Sequence, residues 1–201
     1  MFGFIDDTDH RTCKPGSGPN GDYDYASRKD NAHNIQAAFY SGYMKSQGLK
    51  YQTVLLHNGM WGSVYGSAMR HNDKGVLNMS GLVDYMMSIL PPIQGVGLPG
   101  LYGDRIFDTY AVLYRAILNP DENEEILNRR MNSLRESIEL AYGSLFNYFH
   151  FLRDKSKIKT LTHKRRATRL GIVVFLLSNC MTCLRGNQVN SMFDSEHLSL
   201  E

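Results

Sequence analysis

Three carboxylates stand in settings where chemistry is the natural reason for an acid. Asp6 closes the apolar run Phe2-Gly3-Phe4-Ile5, Asp104 follows Leu101-Tyr102-Gly103, and Glu139 lies within a long stretch of helical spacing. A carboxylate at the end of an apolar strand, or on the inward side of a helix, is costly to bury unless a cation or hydrogen bonds compensate it. Carboxylate oxygens are the donors that hard divalent ions prefer. Converging, the three would form a divalent-metal site. Each also has a plainer reading: Asp6 to Asp9 as a solvated strand end, Asp104 as a turn residue, and Glu139 as an i,i+4 partner of Arg135 on a wet helix face, worth roughly a few tenths of a kcal/mol.

The elements that would position them are legible in outline. Residues 2–6 read as a first strand. Leu49 to Tyr65 reads as a hairpin, with a strand at Tyr51–Leu56, a turn at His57-Asn58-Gly59 and a return at Trp61–Tyr65. With residues 2–6 this makes a three-stranded meander. Val76 to Leu90 has the spacing of one helix, stopped by Pro91-Pro92. A short strand is expected around Gly100 to Asp104. Asn119-Pro120-Asp121-Glu122 opens a long helix with acids in its first turn, where the helix dipole favours them. Its apolar residues, from Ile126 to Leu152, recur mostly at steps of three and four, so one broad face is core, and Gly143 is a place for a kink. The order is α/β, a mixed sheet flanked by helices. Residues 13–36, rich in Gly, Pro, Asn, Asp and Ser, read as a long mobile loop.

The chain of 201 residues, 42% hydrophobic and 21% charged, suits one domain or a domain with a small appendage. A net charge of +2 gives no whole-chain argument for a nucleic-acid or membrane partner. The Met1 segment lacks the features of a secretory signal, and the longest apolar run, Gly171 to Leu177, falls short of the roughly 20 residues of a spanning helix. Three cysteines fit a reducing compartment. These features lead us to expect a soluble, intracellular chain.

Cys180 and Cys183 form a lone CxxC with only His197 downstream, so a buried pair of helix-end thiols is favoured over half of a zinc site. Charge is concentrated farther upstream. Residues 153–169 carry Arg153, Lys155, Lys157, Lys159, Lys164, Arg165, Arg166 and Arg169, eight of the 22 Lys and Arg, against one acid, Asp154. Such a cluster is a solvated basic loop, a set of phosphate contacts or a nuclear-import patch. Adjacent to the carboxylate helix, DNA contact or nuclear targeting is favoured.

Phe4-Ile5-Asp6-Asp7-Thr8 resembles the "FIDGT" strand of Harbinger-type transposases and their transposase-derived nuclease relatives, within the DDE superfamily. Tyr40-Ser41-Gly42-Tyr43-Met44-Lys45 with Leu49-Lys50-Tyr51-Gln52 is similar to that family's "YNGHKR…LKFQ" block. Arg70-His71-Asn72-Asp73-Lys74-Gly75-Val76-Leu77 resembles "RHD-x-G-x-L", Tyr102-Gly103-Asp104 resembles "GDsgY", and Arg135-x-x-x-Glu139 with Tyr142-Gly143 resembles "RxxxE…FG". The blocks fall in family order over most of residues 2–152.

The resemblance implies a ribonuclease H-like nuclease domain at 1–152, followed by a basic segment and C-terminal helix or tail at 153–201. It implies cleavage of DNA phosphodiester bonds with two Mg²⁺ or Mn²⁺ ions held by Asp6, Asp104 and Glu139. Asp73 is the rival: the family pattern carries an aspartate there as well, but its place before the first helix favours a helix cap or a supporting role over a metal ligand. Lys155, Lys157, Lys159, Lys164, Arg165 and Arg166 are the expected DNA contacts, and the nucleus the expected location. With no DNA-reading module expected ahead of Met1, a separate DNA-binding partner protein is expected. Three departures stand out: Asp7 replaces a glycine, Arg105 follows Asp104, and Phe146 replaces a lysine seven residues after Glu139. They leave a catalytically degenerate binding module as the alternative.

Overall fold

Alternation along one strand sets the architecture. β1 (Gly3–Arg11) sends Phe4, Asp6, Thr8 and His10 to one face and Ile5, Asp7 and Asp9 to the other. The computed structural model describes residues 3–13, 37–95, 97–153 and 164–193, with the side chains of 164–167 and 191 left aside. The loop expected at 13–36 lies, apart from Cys13, outside the described residues.

β2 (Tyr40–Ser41), β3 (Ser46–Leu56) and β4 (Trp61–Ala68) follow, and β3 lies antiparallel to both β1 and β4. The expected meander is therefore present, its hairpin turning where Gly59 adopts φ 73°. β5 (Leu101–Tyr102) adds to β1 in parallel, and β6 (Leu113–Tyr114) adds to β5. The order β2-β3-β1-β5-β6, with β4 also on β3, makes a mixed sheet of six strands.

Helices cover both faces. The helix expected over Val76 to Leu90 is two, α1 (Asp73–Ser80) and α2 (Leu82–Ile89), because Gly81 adopts φ 63°, a left-handed conformation that ends one helix and starts the next. Leu77, Leu82 and Met86 pack there with Ile5, Val54 and Leu101. On the other face run α3 (Glu122–Tyr148), α4 (Lys164–Arg185) and α5 (Gln188–Met192), which bury Ile138, Tyr142, Leu145, Val174, Phe175 and Val189 with Phe4, Tyr51 and Trp61. Each such side chain contributes roughly 1.5–3 kcal/mol by leaving water.

α3 starts with a capping box: the Asp121 carboxylate accepts from the Glu124 N–H at 2.7 Å, and Glu124 accepts from the Asp121 N–H at 3.0 Å. The helix runs unbroken through Gly143 to Tyr148, and a 3-10 turn at His150–Leu152 completes the expected span. Its first turns are not core, since Ile126 and Leu127 are about half exposed. Glu139 also lies on the outer side.

α4 approaches the sheet closely. A Cβ on Gly171 would lie 2.2 Å from the Tyr51 ring, so only glycine admits this contact. The window Thr168–Arg185 is long and apolar enough to cross a membrane by length and composition, which the short run Gly171 to Leu177 does not reveal. Packing against β4 accounts for one apolar side of it. Of the CxxC pair only Cys183 is buried and Cys180 is exposed, so the expected buried pair is present in one member only.

Candidate active site

Asp6 sits in mid-β1, opposite Thr53 of β3. Its Oδ1 accepts the Asp7 N–H at 2.9 Å. Behind it, Tyr142 of α3 donates to the Asp6 carbonyl at 3.1 Å and lies 2.6 Å from the Thr53 hydroxyl. This fixes α3 against the strand at the level of the carboxylate. Burial pushes the Asp6 carboxyl up to about 6; the Asp7 N–H and Arg135 pull against that, while Asp104 and Glu139 add to it.

The three sequence candidates come from three elements: Arg135 lies between Asp6 and Glu139, and Asp104 lines the same cleft as Glu139. Asp104 stands exposed just after β5, its carboxylate taking the N–H of Arg105 at 2.6 Å. Glu139 projects from α3 with 58% of its side chain exposed. Between them opens a cleft of about 540 Å³, lined by Asp104, Arg105, Asn132, Arg135, Glu136, Glu139 and Leu140. Tyr102, donating to Asn132 at 3.1 Å, ties β5 to the same stretch of α3.

Arg135 was visible in sequence as the i,i+4 partner of Glu139, and it is: Nη2 lies 3.4 Å from Glu139 Oε1. It also reaches across to β1, where Nη1 lies 3.7 Å from Asp6 Oδ2. Periodicity on α3 carries a signal for these neighbours, because Asn132, Arg135, Glu136 and Glu139 recur at helical steps and share one polar face. Only the reach to the strand is silent in sequence.

Asp73 does not join this group. Asn72 caps α1 by accepting the Gly75 N–H at 2.8 Å, and Asp73 instead contacts Lys50 of β3. Of the two roles expected for Asp73, cap or support, the cap falls to Asn72, which has the extended backbone a cap requires. Lys50 also lies 3.7 Å from Asp9. Asp7 faces this second cluster; burial and then the Asp73 charge drive its carboxyl well up, with Lys50 and Gln52 opposing them.

Phe146, where a lysine was expected, packs against the ring of His10 at 5.3 Å, and the Arg153 guanidinium lies 5.8 Å from the Phe146 ring centre. A cation therefore stands over the place of the missing one, at cation–π distance. Burial drives the His10 ring down to about 4, so it is neutral in the core. Of the expected DNA contacts, Lys155, Lys157 and Lys159 lie outside the described residues; Lys164, Arg165 and Arg166 form the first turn of α4.

In this arrangement no group of three His, Cys, Asp or Glu among the described residues is drawn close enough to hold one metal ion. The donor set is of the kind a hard cation takes, carboxylates on three elements, and the Arg135 guanidinium is the positive charge between two of them.

A six-stranded mixed sheet with helices on both faces, carrying a carboxylate on its first strand, one after β5 and one on the long helix, defines a ribonuclease H-like α/β nuclease layout. The sequence profile described as DDE superfamily endonuclease matches residues 26–179, well over half of the chain, and the chain belongs to that family. The matched stretch includes Asp104 and Glu139 and runs into α4, whereas Asp6 precedes it. No curated protein and no solved structure matches the chain. Endonuclease domains of this superfamily generally use divalent metals, and the family implies a DNA substrate.

Proposed function

We propose that the chain is a transposase-derived endonuclease domain of Harbinger type that cleaves DNA phosphodiester bonds at the cleft between α3 and the segment that follows β5, beside Asp6 of β1. The observation that carries the proposal is the placing of Asp104 and Glu139 along one cleft, with Arg135 reaching from Glu139 to the Asp6 carboxylate. Asp6, Asp104 and Glu139 would hold Mg²⁺ or Mn²⁺, which when bound supplies an activated water and neutralises the charge developing on the leaving oxygen. The chain's own residues provide the setting. Tyr142 and Thr53 fix the Asp6 backbone against α3, Asn132 joins β5 to the helix, and exposed Arg105 offers a phosphate donor beside Asp104.

DNA contact by Lys155, Lys157, Lys159, Lys164, Arg165 and Arg166, a nuclear location and a separate DNA-binding partner protein belong to the same proposal, supported by the acid-poor charge of residues 153–169. The test is nicking of supercoiled DNA by the full chain with Mg²⁺ or Mn²⁺. Activity is expected to fall by more than about a hundredfold in Asp6→Ala and in Glu139→Ala, in line with loss of metal-holding groups. A second reading, a binding module without catalysis, is favoured by the ion pairs that Arg135 makes with Asp6 and Glu139. It predicts retention of DNA on the chain without metal-dependent nicking.

A further inference from the structure

We propose that Arg135 is the resident cation of the cleft, a positioning residue that holds Asp6 and Glu139 and competes with a divalent ion for them. The inference rests on the reading of this cleft as the catalytic site. A surface i,i+4 pair on a helix joins two residues of that helix and nothing else. Arg135 does more: its two terminal nitrogens reach two carboxylates on different elements, Nη1 toward Asp6 on β1 and Nη2 toward Glu139 on α3. Its side chain is 22% exposed against 58% for Glu139, so the charge is held at the inner end of the pair.

Physical consequences follow from charge alone. Bringing Asp6 toward Asp104 and Glu139 without a cation sets like charges against one another in a partly dry place. The guanidinium relieves that repulsion and lets the cleft form in the absence of metal. A divalent ion entering between Asp6 and Glu139 meets a positive charge already there, and the planar fork has to give up both carboxylates on its flexible stem. Arg135 thus sets the concentration of ion at which the cleft loads.

The test uses Mn²⁺ alone, titrated calorimetrically into the full chain, with thermal melting in EDTA and in Mn²⁺. Arg135→Gln is expected to bind Mn²⁺ about tenfold tighter than the wild type, as removal of one repelling charge at a half-buried site allows. It is also expected to melt lower in EDTA and to gain more on addition of Mn²⁺. Arg135→Lys, which keeps the charge and loses the fork, is expected between the two, and it carries the test if the glutamine variant does not fold without metal. Mn²⁺ binding no tighter in either variant than in the wild type overturns the inference. DNA nicking measured in parallel separates this from the catalytic reading. Unchanged Mn²⁺ affinity with metal-dependent nicking intact removes the role of Arg135 alone; tighter Mn²⁺ binding with no nicking in any form supports Arg135 and removes the nuclease.

Discussion

Asp6 and Asp7 are consecutive on β1 and face opposite sides of the sheet, and each belongs to a cluster of three acids and one cation. On the α3 side Asp6 stands with Asp104, Glu139 and Arg135; on the α1 side Asp7 meets Asp73 and Lys50, and Asp9 joins through Lys50. Both carboxyls are raised chiefly by burial. The difference lies in the cation and in what lies beyond it. Lys50 is anchored in the middle of β3 with 9% exposure, whereas Arg135 rides on a helix face that lines an open cleft. Charge clusters of similar make-up therefore stand in different settings: one is fixed inside the fold, and the other borders an open cleft.

The largest expected effect breaks the fixed cluster. Lys50→Met leaves Asp7, Asp9 and Asp73 without their cation and should cost about 3 kcal/mol of stability in urea unfolding, as the loss of one partner of a buried pair does. A cost below about 1 kcal/mol would mean that Lys50 is not the anchor described.

His10 lies on the Asp6 face but under Tyr51 and Phe146, and its pH dependence opposes that of Asp6. Its folded affinity for the proton is lowered from 6.5 to about 4, so its contribution is whole above about 6.5 and is lost as pH falls toward 4. Asp6, raised from 3.8 to about 6, favours the fold below about 4 and loses that contribution as pH rises through 6. His10→Phe should therefore remove about 2 kcal/mol of acid sensitivity between pH 6.5 and 4 and leave stability rising as pH falls. An unchanged pH profile would show that His10 is not held neutral.

Tyr142→Phe strips the hydroxyl that joins Asp6 and Thr53 to α3 and should cost about 1–2 kcal/mol, since the buried Thr53 hydroxyl loses its closest partner. Smallest is Asp7→Asn. Because the Asp7 carboxyl is raised, its ionisation costs stability as pH rises, so the amide should stabilise the chain by about 1 kcal/mol above neutrality and have little effect in acid. Equal effects at both ends of that range would contradict the burial assigned to it.

Sequence carried the elements whose signals are local. The Asn58-Gly59 turn announced the β3–β4 hairpin, and Asn119-Pro120-Asp121-Glu122 announced the start of α3. It did not carry β6, a strand of two residues with no period to detect, nor the break at Gly81, where one helical pattern continues across a change of axis. For the candidate site, the residue types and the Arg135–Glu139 spacing were legible. The reach of Arg135 to Asp6 and the grouping of Lys50 with Asp73 were not, because they join residues 129 and 23 positions apart, respectively, whose proximity only the packed sheet creates.

The adjacent acids also supply the most direct test. Nicking of supercoiled DNA in Mn²⁺ should be compared for the wild type, Asp6→Asn and Asp7→Asn, with folding checked by thermal melting. If the cleft on the α3 side is catalytic, Asp6→Asn loses more than about a hundredfold while Asp7→Asn retains most of the wild-type rate. Equal losses in the two variants, or a loss confined to Asp7→Asn, would contradict it.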